Sequence, residues 1–202
     1  MPRPFNATSI LGLLAALLGL GCRSAASGAA PQECAPFTSA LDPASSAEGY
    51  EGDYMLRLVA TSGDKSGSTT TGTLKLLPQR QDLRYRIRLG GAVDSAVVQP
   101  LYGTTELDLD AVDAVQVGST ASDDPMQPGV LVVESHARAG QPPSAEIVLR
   151  LGSEANRRDR QRIDGGYTAL RVRQLNSTGF SGTWASGITR ERSAGYFCAT
   201  RR

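Results

Sequence analysis

Residues 54–60 read Tyr-Met-Leu-Arg-Leu-Val-Ala, and this stretch decides the fold class because its side chains change character at every second position. Tyr54, Leu56 and Leu58 lie on one face of the extended chain, and the residues between them lie on the other. A period of two residues is typical of a half-buried β-strand and not of a helix. The residues that follow at 63–67, Gly-Asp-Lys-Ser-Gly, are typical of a turn.

The same alternation recurs to the C-terminus, with Gly, Pro, Asp and Ser between the segments. Connections this short leave no room for crossover helices, so the strands are expected to pair antiparallel. The pattern predicts an all-β domain, a single antiparallel β-barrel of about 8–10 strands, because closure removes exposed edges. A β-sandwich is the alternative. The further predicted strands cover residues 69–77, 83–89, 92–101, 104–117, 130–137, 145–151, 167–175, 180–185 and 195–200.

The N-terminus has the composition of an export signal. One positive charge at Arg3 precedes an unbroken apolar run over residues 10–20, and small residues follow it. The run is shorter than the roughly 20 apolar residues that span a bilayer. The sequence therefore predicts a signal peptide over residues 1–21, an Ala/Ser/Pro-rich tether over residues 22–47 and a barrel domain over residues 48–202. A buried helix of the mature fold is the alternative for the apolar run.

The end of the apolar run resembles the lipobox of bacterial lipoproteins. The resembling residues are Leu-Gly-Leu-Gly-Cys at 18–22. The resemblance implies that Cys22 is lipidated and becomes the mature N-terminus, which makes the membrane a partner through the lipid anchor. Arg23, in place of Asp, implies sorting to the outer membrane of a double-membrane bacterium. Ordinary signal cleavage after Ala26 or Gly28, which would give a secreted or periplasmic soluble protein, remains the alternative.

The other two cysteines predict a disulfide. Cys34 and Cys198 lie near the two ends of the mature chain, and an even number of cysteines in an exported protein favours pairing. The chain-entropy model gives a stabilisation of roughly 4–5 kcal/mol for so long a loop. Two free thiols are the alternative.

The segment Phe-Ser-Gly-Thr-Trp at 180–184 resembles the Phe-x-Gly-x-Trp signature of lipocalin-type and related calycin barrels. The resemblance implies that Gly182 lets the backbone bend and that Trp184 plugs one end of a barrel. A core tryptophan of any β-fold is the alternative for Trp184. We expect apolar residues to line the barrel interior and to contact a small apolar or amphiphilic ligand, namely Tyr54, Leu56, Ile87, Leu107 and Trp184.

Charged residues form three groups. We expect a cross-strand ladder between Arg84, Arg86 and Arg88 on one strand and an acidic strand, in which each opposite-charge pair contributes roughly 0.2–1 kcal/mol. Its acidic members are Glu106, Asp108 and Asp110, and the alternative roles are a polar lumen or a Ca²⁺ strip. The third group is a basic loop that either is mobile and solvated or binds anions, formed by Arg157, Arg158, Arg160 and Arg162.

The composition argues against several functions. The formal net charge is +1 at pH 7, and no aromatic residues interleave with the basic loop, so we expect no nucleic-acid partner. His136 is the only histidine, which makes a zinc site unexpected. We read it as a residue at the surface or barrel rim, because no nucleophile or orienting partner accompanies it in sequence. We therefore expect no catalytic residue, no metal and no cofactor.

Together these features predict an exported cell-envelope protein that is not an enzyme. The first interpretation is a barrel that binds a small apolar or amphiphilic ligand. The alternative is a structural or interaction module of the envelope with a filled core, whose partner would be another envelope protein. An enzyme is the third and least supported interpretation, because it would need carboxylates and His136 to converge in one cleft.

Overall fold

Strands account for most of the residues that the computed structural model describes. The structure describes residues 34–37, 39–79, 88–89, 92–93, 97–115, 118–137, 143–152, 168–188 and 191–202. Its strands are β1 (Gly52–Ser62), β2 (Thr69–Pro78), β3 (Arg88–Leu89), β4 (Ala92–Val93), β5 (Val97–Glu106), β6 (Val130–His136), β7 (Ala145–Leu151), β8 (Thr168–Asn176), β9 (Gly179–Ile188) and β10 (Glu191–Arg201). The predicted all-β fold class is confirmed.

Eight of these strands form a closed antiparallel barrel, in the order β1-β10-β9-β8-β7-β6-β5-β2, and β3 pairs with β4 in a separate two-stranded sheet. Each barrel strand pairs with its nearest barrel neighbour in sequence, and β1 closes the ring against β10. Closure places Leu56 opposite Ala199 and Leu58 opposite Phe197. The barrel is therefore of the up-and-down kind, and the sandwich alternative is excluded.

The alternation of side chains along β1 explains why the sheet closes around an apolar centre. Tyr54, Leu56 and Leu58 are completely buried, whereas Met55 and Arg57 are exposed on the outer face. Fully burying a side chain of this size contributes about 1.5–3 kcal/mol. The inward faces of the other barrel strands complete one continuous core, to which Leu74, Leu76, Leu101, Val130, Val132, Ile147, Leu149, Leu151, Leu170, Val172, Trp184 and Phe197 also belong.

The upper end of the barrel, where β1 ends, is closed by residues 107–115, which we call the upper plug. The sequence predicted a strand over residues 104–117, but β5 ends at Glu106, and Asp110–Val112 forms a 3₁₀ turn. Leu109, Val112 and Ala114 of this segment are buried in the core. Here tertiary packing overrides the alternating pattern, because the apolar residues cover the open end instead of extending the sheet.

Hydroxyl groups on three strands, β8, β9 and β10, hold the upper plug in place. The Oγ of Ser186 accepts a hydrogen bond from the N–H of Val115 at 2.6 Å and lies 2.8 Å from Oγ1 of Thr168. Thr168 in turn donates to the carbonyl of Val115 at 3.0 Å. On the other side of the turn, the hydroxyl of Ser193 donates to the carbonyl of Asp113. Buried hydroxyls thus satisfy the backbone of a segment that lacks a strand partner.

The lower end, where β1 begins, is closed by residues 39–50, which we call the N-terminal cap. Leu41 and Ala47 are buried in the barrel core, and Tyr50 packs against it. The sequence analysis placed residues up to 47 in a tether. The described part of that tether is folded against the barrel, because its few apolar residues fill the open end. The rest of the predicted tether and the predicted signal peptide, with Cys22 and Arg23, lie outside the described residues.

The predicted charge ladder is wrong for two of its acidic members. Asp108 and Asp110 lie in the upper plug and not on a strand, and Oδ1 of Asp108 accepts a hydrogen bond from the N–H of Ala111. Glu106, at the end of β5, pairs with Thr73 of β2. The side chains of the basic partners at positions 84, 86 and 88 lie outside the described residues.

Candidate functional site: the capped lower end

Glu134 is the only charged residue among the buried residues that the structure describes, and it lies at the lower end of the barrel. Strand β6 turns Val130, Val132 and Glu134 inward, so the carboxylate follows two core valines on the same face. Glu134 as a whole is 4% exposed to solvent. Burying an ionised carboxylate is costly unless it accepts hydrogen bonds. The partners of Glu134 therefore determine what this end of the barrel can do.

Three groups surround the Glu134 carboxylate. Its Oε2 accepts hydrogen bonds from the N–H of Ala47 at 2.7 Å and from the hydroxyl of Ser46 at 3.1 Å. Its Oε1 lies 2.5 Å from Nε2 of His136, whose side chain is 40% exposed. Two of the three partners belong to the N-terminal cap. The carboxylate thus joins the cap to the barrel wall.

Arg201, at the end of β10, holds the other side of the cap. Its Nη2 donates to the carbonyls of Gly49 and Glu51 at 3.2 and 3.1 Å and to the hydroxyl of Tyr54 at 3.1 Å. The guanidinium also lies 5.6 Å from the centre of the Tyr54 ring, within cation–π range. The hydrogen bond to Tyr54 is the main cause that raises the pKa of Arg201 above its usual value. Arg201 is therefore a permanent cation at this end.

The cap is also anchored covalently. Cys34 and Cys198 form a disulfide with a Cα–Cα distance of 5.7 Å and a sequence separation of 164 residues. Cys198 lies on β10, opposite Arg57 of β1 and Ser181 of β9. The predicted pairing is thus present, and it ties the start of the described chain beside the barrel wall, just before the cap crosses the lower end.

An apolar void of about 10 Å³ remains between the cap and the barrel interior. This is close to the volume that a single water molecule needs. The cap contributes Ala47 and Tyr50 to its wall. The barrel contributes eight residues from six strands, namely Leu76, Leu101, Val132, Ile147, Leu149, Val172, Leu175 and Phe180. With the cap in place, the described side chains therefore fill the interior. The space under the cap is too small for a ligand.

A second indentation lies on the disulfide side, between the turn after β8 and the end of β10. It encloses about 10 Å³ and is lined by Phe37, Asn176, Thr178, Gly179, Phe180, Ser181, Cys198, Ala199 and Thr200. Its volume again accommodates about one water molecule. Neither space has the volume of a small-molecule site, which is typically about 300–1,000 Å³.

The predicted ligand-lining residues divide into three groups. Tyr54, Leu56 and Trp184 face the interior, where they are buried and packed against other core side chains. Leu107 lies in the upper plug and is only partly buried. Ile87 lies outside the described residues. None of the four described residues contributes to the two spaces above. A role for them in ligand binding stays a prediction.

The remaining candidates are placed as follows. Trp184 lies in the upper half of the barrel, where its Nε1 donates to the carbonyl of Val59 at 3.0 Å. His136 is half exposed at the lower end of β6, next to Glu134. In the part of the chain that the structure describes, no group of three or more His, Cys, Asp or Glu side chains could hold a metal ion. The four arginines of the basic loop, at positions 157, 158, 160 and 162, lie outside the described residues.

Sequence reasoning missed Glu134 as a buried group. The signal that could have found it is present in the sequence of β6, Val-Leu-Val-Val-Glu-Ser-His at 130–136. In this strand Glu134 has the same parity as the core residues Val130 and Val132, so the alternation places it inside. His136 shares that face and reaches the solvent only because the strand ends there.

Comparisons of the chain with protein-family models, with curated proteins and with solved structures found no match. Within the described residues, no helix has both the length and the apolar character needed to span a membrane. The functional interpretation therefore depends on the geometry of the molecule itself.

Proposed function

We propose that the protein is an exported, lipid-anchored protein of the cell envelope whose barrel acts without catalysis, as a filled structural or interaction module. The observation that carries this proposal is the packing of the described interior. Core side chains fill the barrel, and the upper plug and the N-terminal cap close its two ends. A solid barrel of this kind presents its outer surface and loops to another envelope protein and holds no ligand in its resting state.

Two features support export and anchoring. The disulfide between Cys34 and Cys198 is a bond that forms and persists in oxidising compartments and is rare in the bacterial cytosol. The N-terminal sequence supplies a signal peptide, and the lipobox-like residues at 18–22 supply an acceptor for acylation at Cys22. More than one acyl chain on that cysteine makes the anchoring stable. The outer membrane is the proposed destination.

Labelling of the acyl chains tests this proposal. The full chain is expressed in a double-membrane bacterium that is fed an alkyne-tagged palmitate, and the membrane and soluble fractions are compared. We expect a tagged, processed protein in the outer-membrane fraction, and a C22S variant without the tag. A C34S/C198S variant is the matched control, because it removes two cysteines and should keep the tag. An unprocessed, untagged protein in the cytoplasm would contradict export and anchoring together.

A second candidate function is the binding of a small apolar or amphiphilic molecule. One observation favours it: the space beneath the N-terminal cap is lined only by apolar side chains, and the single buried carboxylate lies at the same end. A ligand would enter there only if the cap moved away.

A further inference from the structure

We propose that the N-terminal cap occupies a binding site for an amphiphile that carries a protonated amine and a single apolar chain. This inference rests on the second candidate function and specifies its ligand. In it, the cap and the ligand compete for the same contacts at the lower end of the barrel. The cap supplies apolar side chains and hydrogen-bond donors, and the ligand supplies the same two features.

The apolar half of the site is the wall beneath the cap. Eight barrel residues surround the space into which Ala47 and Tyr50 project, and all eight have aliphatic or aromatic side chains. Leu41 of the cap is buried in the same core. When the cap leaves, the volume of its side chains adds to the existing void. The exposed lining is then purely apolar. It suits a hydrocarbon chain and offers no polar group to a ligand.

The polar half of the site is the Glu134 carboxylate. With the cap away, Oε2 loses both of its donors, the N–H of Ala47 and the hydroxyl of Ser46. The carboxylate then keeps only His136, at Oε1, so a replacement donor at Oε2 stabilises the open state. An ammonium group offers three donors and the opposite charge. A carboxylate or phosphate headgroup at this position would instead meet the like charge of Glu134, which favours a cationic headgroup over an anionic one beside this carboxylate.

No strand pairing holds the cap to the barrel. The cap has no regular secondary structure, and its hydrogen bonds to the barrel include those with the side chains of Glu134, Arg201 and Tyr54. The disulfide at Cys34 and strand β1 hold its two ends, so it can lift only as a loop. Because the ligand binds only when the cap is open, its apparent affinity equals the intrinsic affinity multiplied by the fraction of molecules with an open cap. Weakening the cap must therefore strengthen ligand binding.

Photocrosslinking of the full, disulfide-bonded chain tests the proposal at pH 7, in isolated membranes or, if the chain is not anchored, in the soluble periplasmic fraction. The probes are a dodecylamine with a diazirine in its chain and a dodecanoic acid with the same diazirine. We expect the amine to label peptides of β7 and β8 that line the site, several-fold more than the acid does. E134Q should reduce this labelling about tenfold, because a charge-assisted hydrogen bond is lost. S46A should increase it up to about tenfold, because the cap loses a donor.

Matched variants separate these effects from damage to the fold. E146Q removes a carboxylate from the outer face of β7, where it is exposed and pairs with Arg171, and it should leave labelling unchanged. S45A removes the hydroxyl next to Ser46 and should also have no effect. Each variant must retain the Cys34–Cys198 bond in non-reducing mass spectrometry.

Equal labelling by the two probes, labelling confined to the outer face, unchanged or increased labelling of E134Q, or decreased labelling of S46A would overturn the proposal. Loss of acylation at Cys22 would contradict the anchoring but would leave this result unaffected.

Discussion

Gly195 lies where β10 passes between the indole of Trp184 and the carbonyl of Val59. A Cβ atom at Gly195 would lie 1.8 Å from the oxygen of Val59 and 2.7 Å from Nε1 of Trp184. The absence of a side chain therefore allows the indole to cross β10 and donate its hydrogen bond to β1. One glycine thus permits both the close approach of two strands and the satisfaction of a buried donor.

We expect a G195A variant to be destabilised by about 1–3 kcal/mol or more, because the added methyl group forces the strand or the indole to move. Urea unfolding followed by the fluorescence of Trp184, the only tryptophan, measures the effect. An A185S variant is the control, because it adds one atom on the exposed outer face of β9 and should change stability by less than about 0.5 kcal/mol. Equal stability of G195A and the parent chain would contradict the described packing.

At the scale of single residues, the sequence predicts a role only for residues whose type or local spacing is unusual. Trp184 stands out because it is the only tryptophan and follows a glycine at a spacing that resembles a barrel signature. Gly195 carries no such signal, since its role depends on which two strands flank β10. Glu134 was missed for a related reason: its inward orientation follows from the alternation, but its partners in the cap are 87 and 88 residues away in sequence.

The N-terminal cap is the element whose attachment depends most on the disulfide. We expect a C34S/C198S variant to lose about 4–5 kcal/mol of stability, because the bond restricts a very long loop of the unfolded chain. The midpoint of urea unfolding, compared with that of the parent chain, checks this expectation. A C22S variant keeps the bond and should unfold at the parent midpoint. Two alkylatable thiols in the native parent chain would show that the bond is absent.

In the upper plug, the amide of Val115 depends on one buried hydroxyl, that of Ser186. We expect an S186A variant to lose about 1–3 kcal/mol of stability, because the N–H of Val115 is left without an acceptor. Amide hydrogen exchange should show faster exchange at Val115. A T183V variant also removes a hydroxyl from β9, on the partly exposed outer face, and serves as the control. Unchanged protection of the Val115 amide in S186A would contradict the described contact.

Strands were the elements that sequence analysis predicted best, and segments that close the barrel were predicted worst. Residues 104–117 alternate like a strand, but Asp113 adopts a left-handed conformation with φ of 58° and ends the 3₁₀ turn of the upper plug. Asp tolerates this conformation better than most residues. Residues 39–47 of the cap were read as part of a tether because Ala, Ser and Pro dominate them and supply little material for a core.

The molecule as a whole is a meander that closes on itself. The short antiparallel connections and the pairing of the terminal cysteines both favoured closure, and the barrel confirms them. Whether the interior holds a cavity could not be predicted, because this depends on how the volumes of inward side chains from eight strands and two end segments add up. Among the described residues, the space between the cap and the interior measures about 10 Å³, and this result favours a module with a filled core.

Closure of the barrel between β1 and β10 is the claim on which the interior, both closed ends and the proposed site depend. Nuclear Overhauser contacts between backbone protons of the full chain test it most directly. The account predicts cross-strand contacts between Leu56 and Ala199 and between Leu58 and Phe197, in the antiparallel register of the closed ring. Missing contacts between these strands, or contacts in a register shifted by one residue, would contradict it, because such a shift turns the core residues of β1 outward.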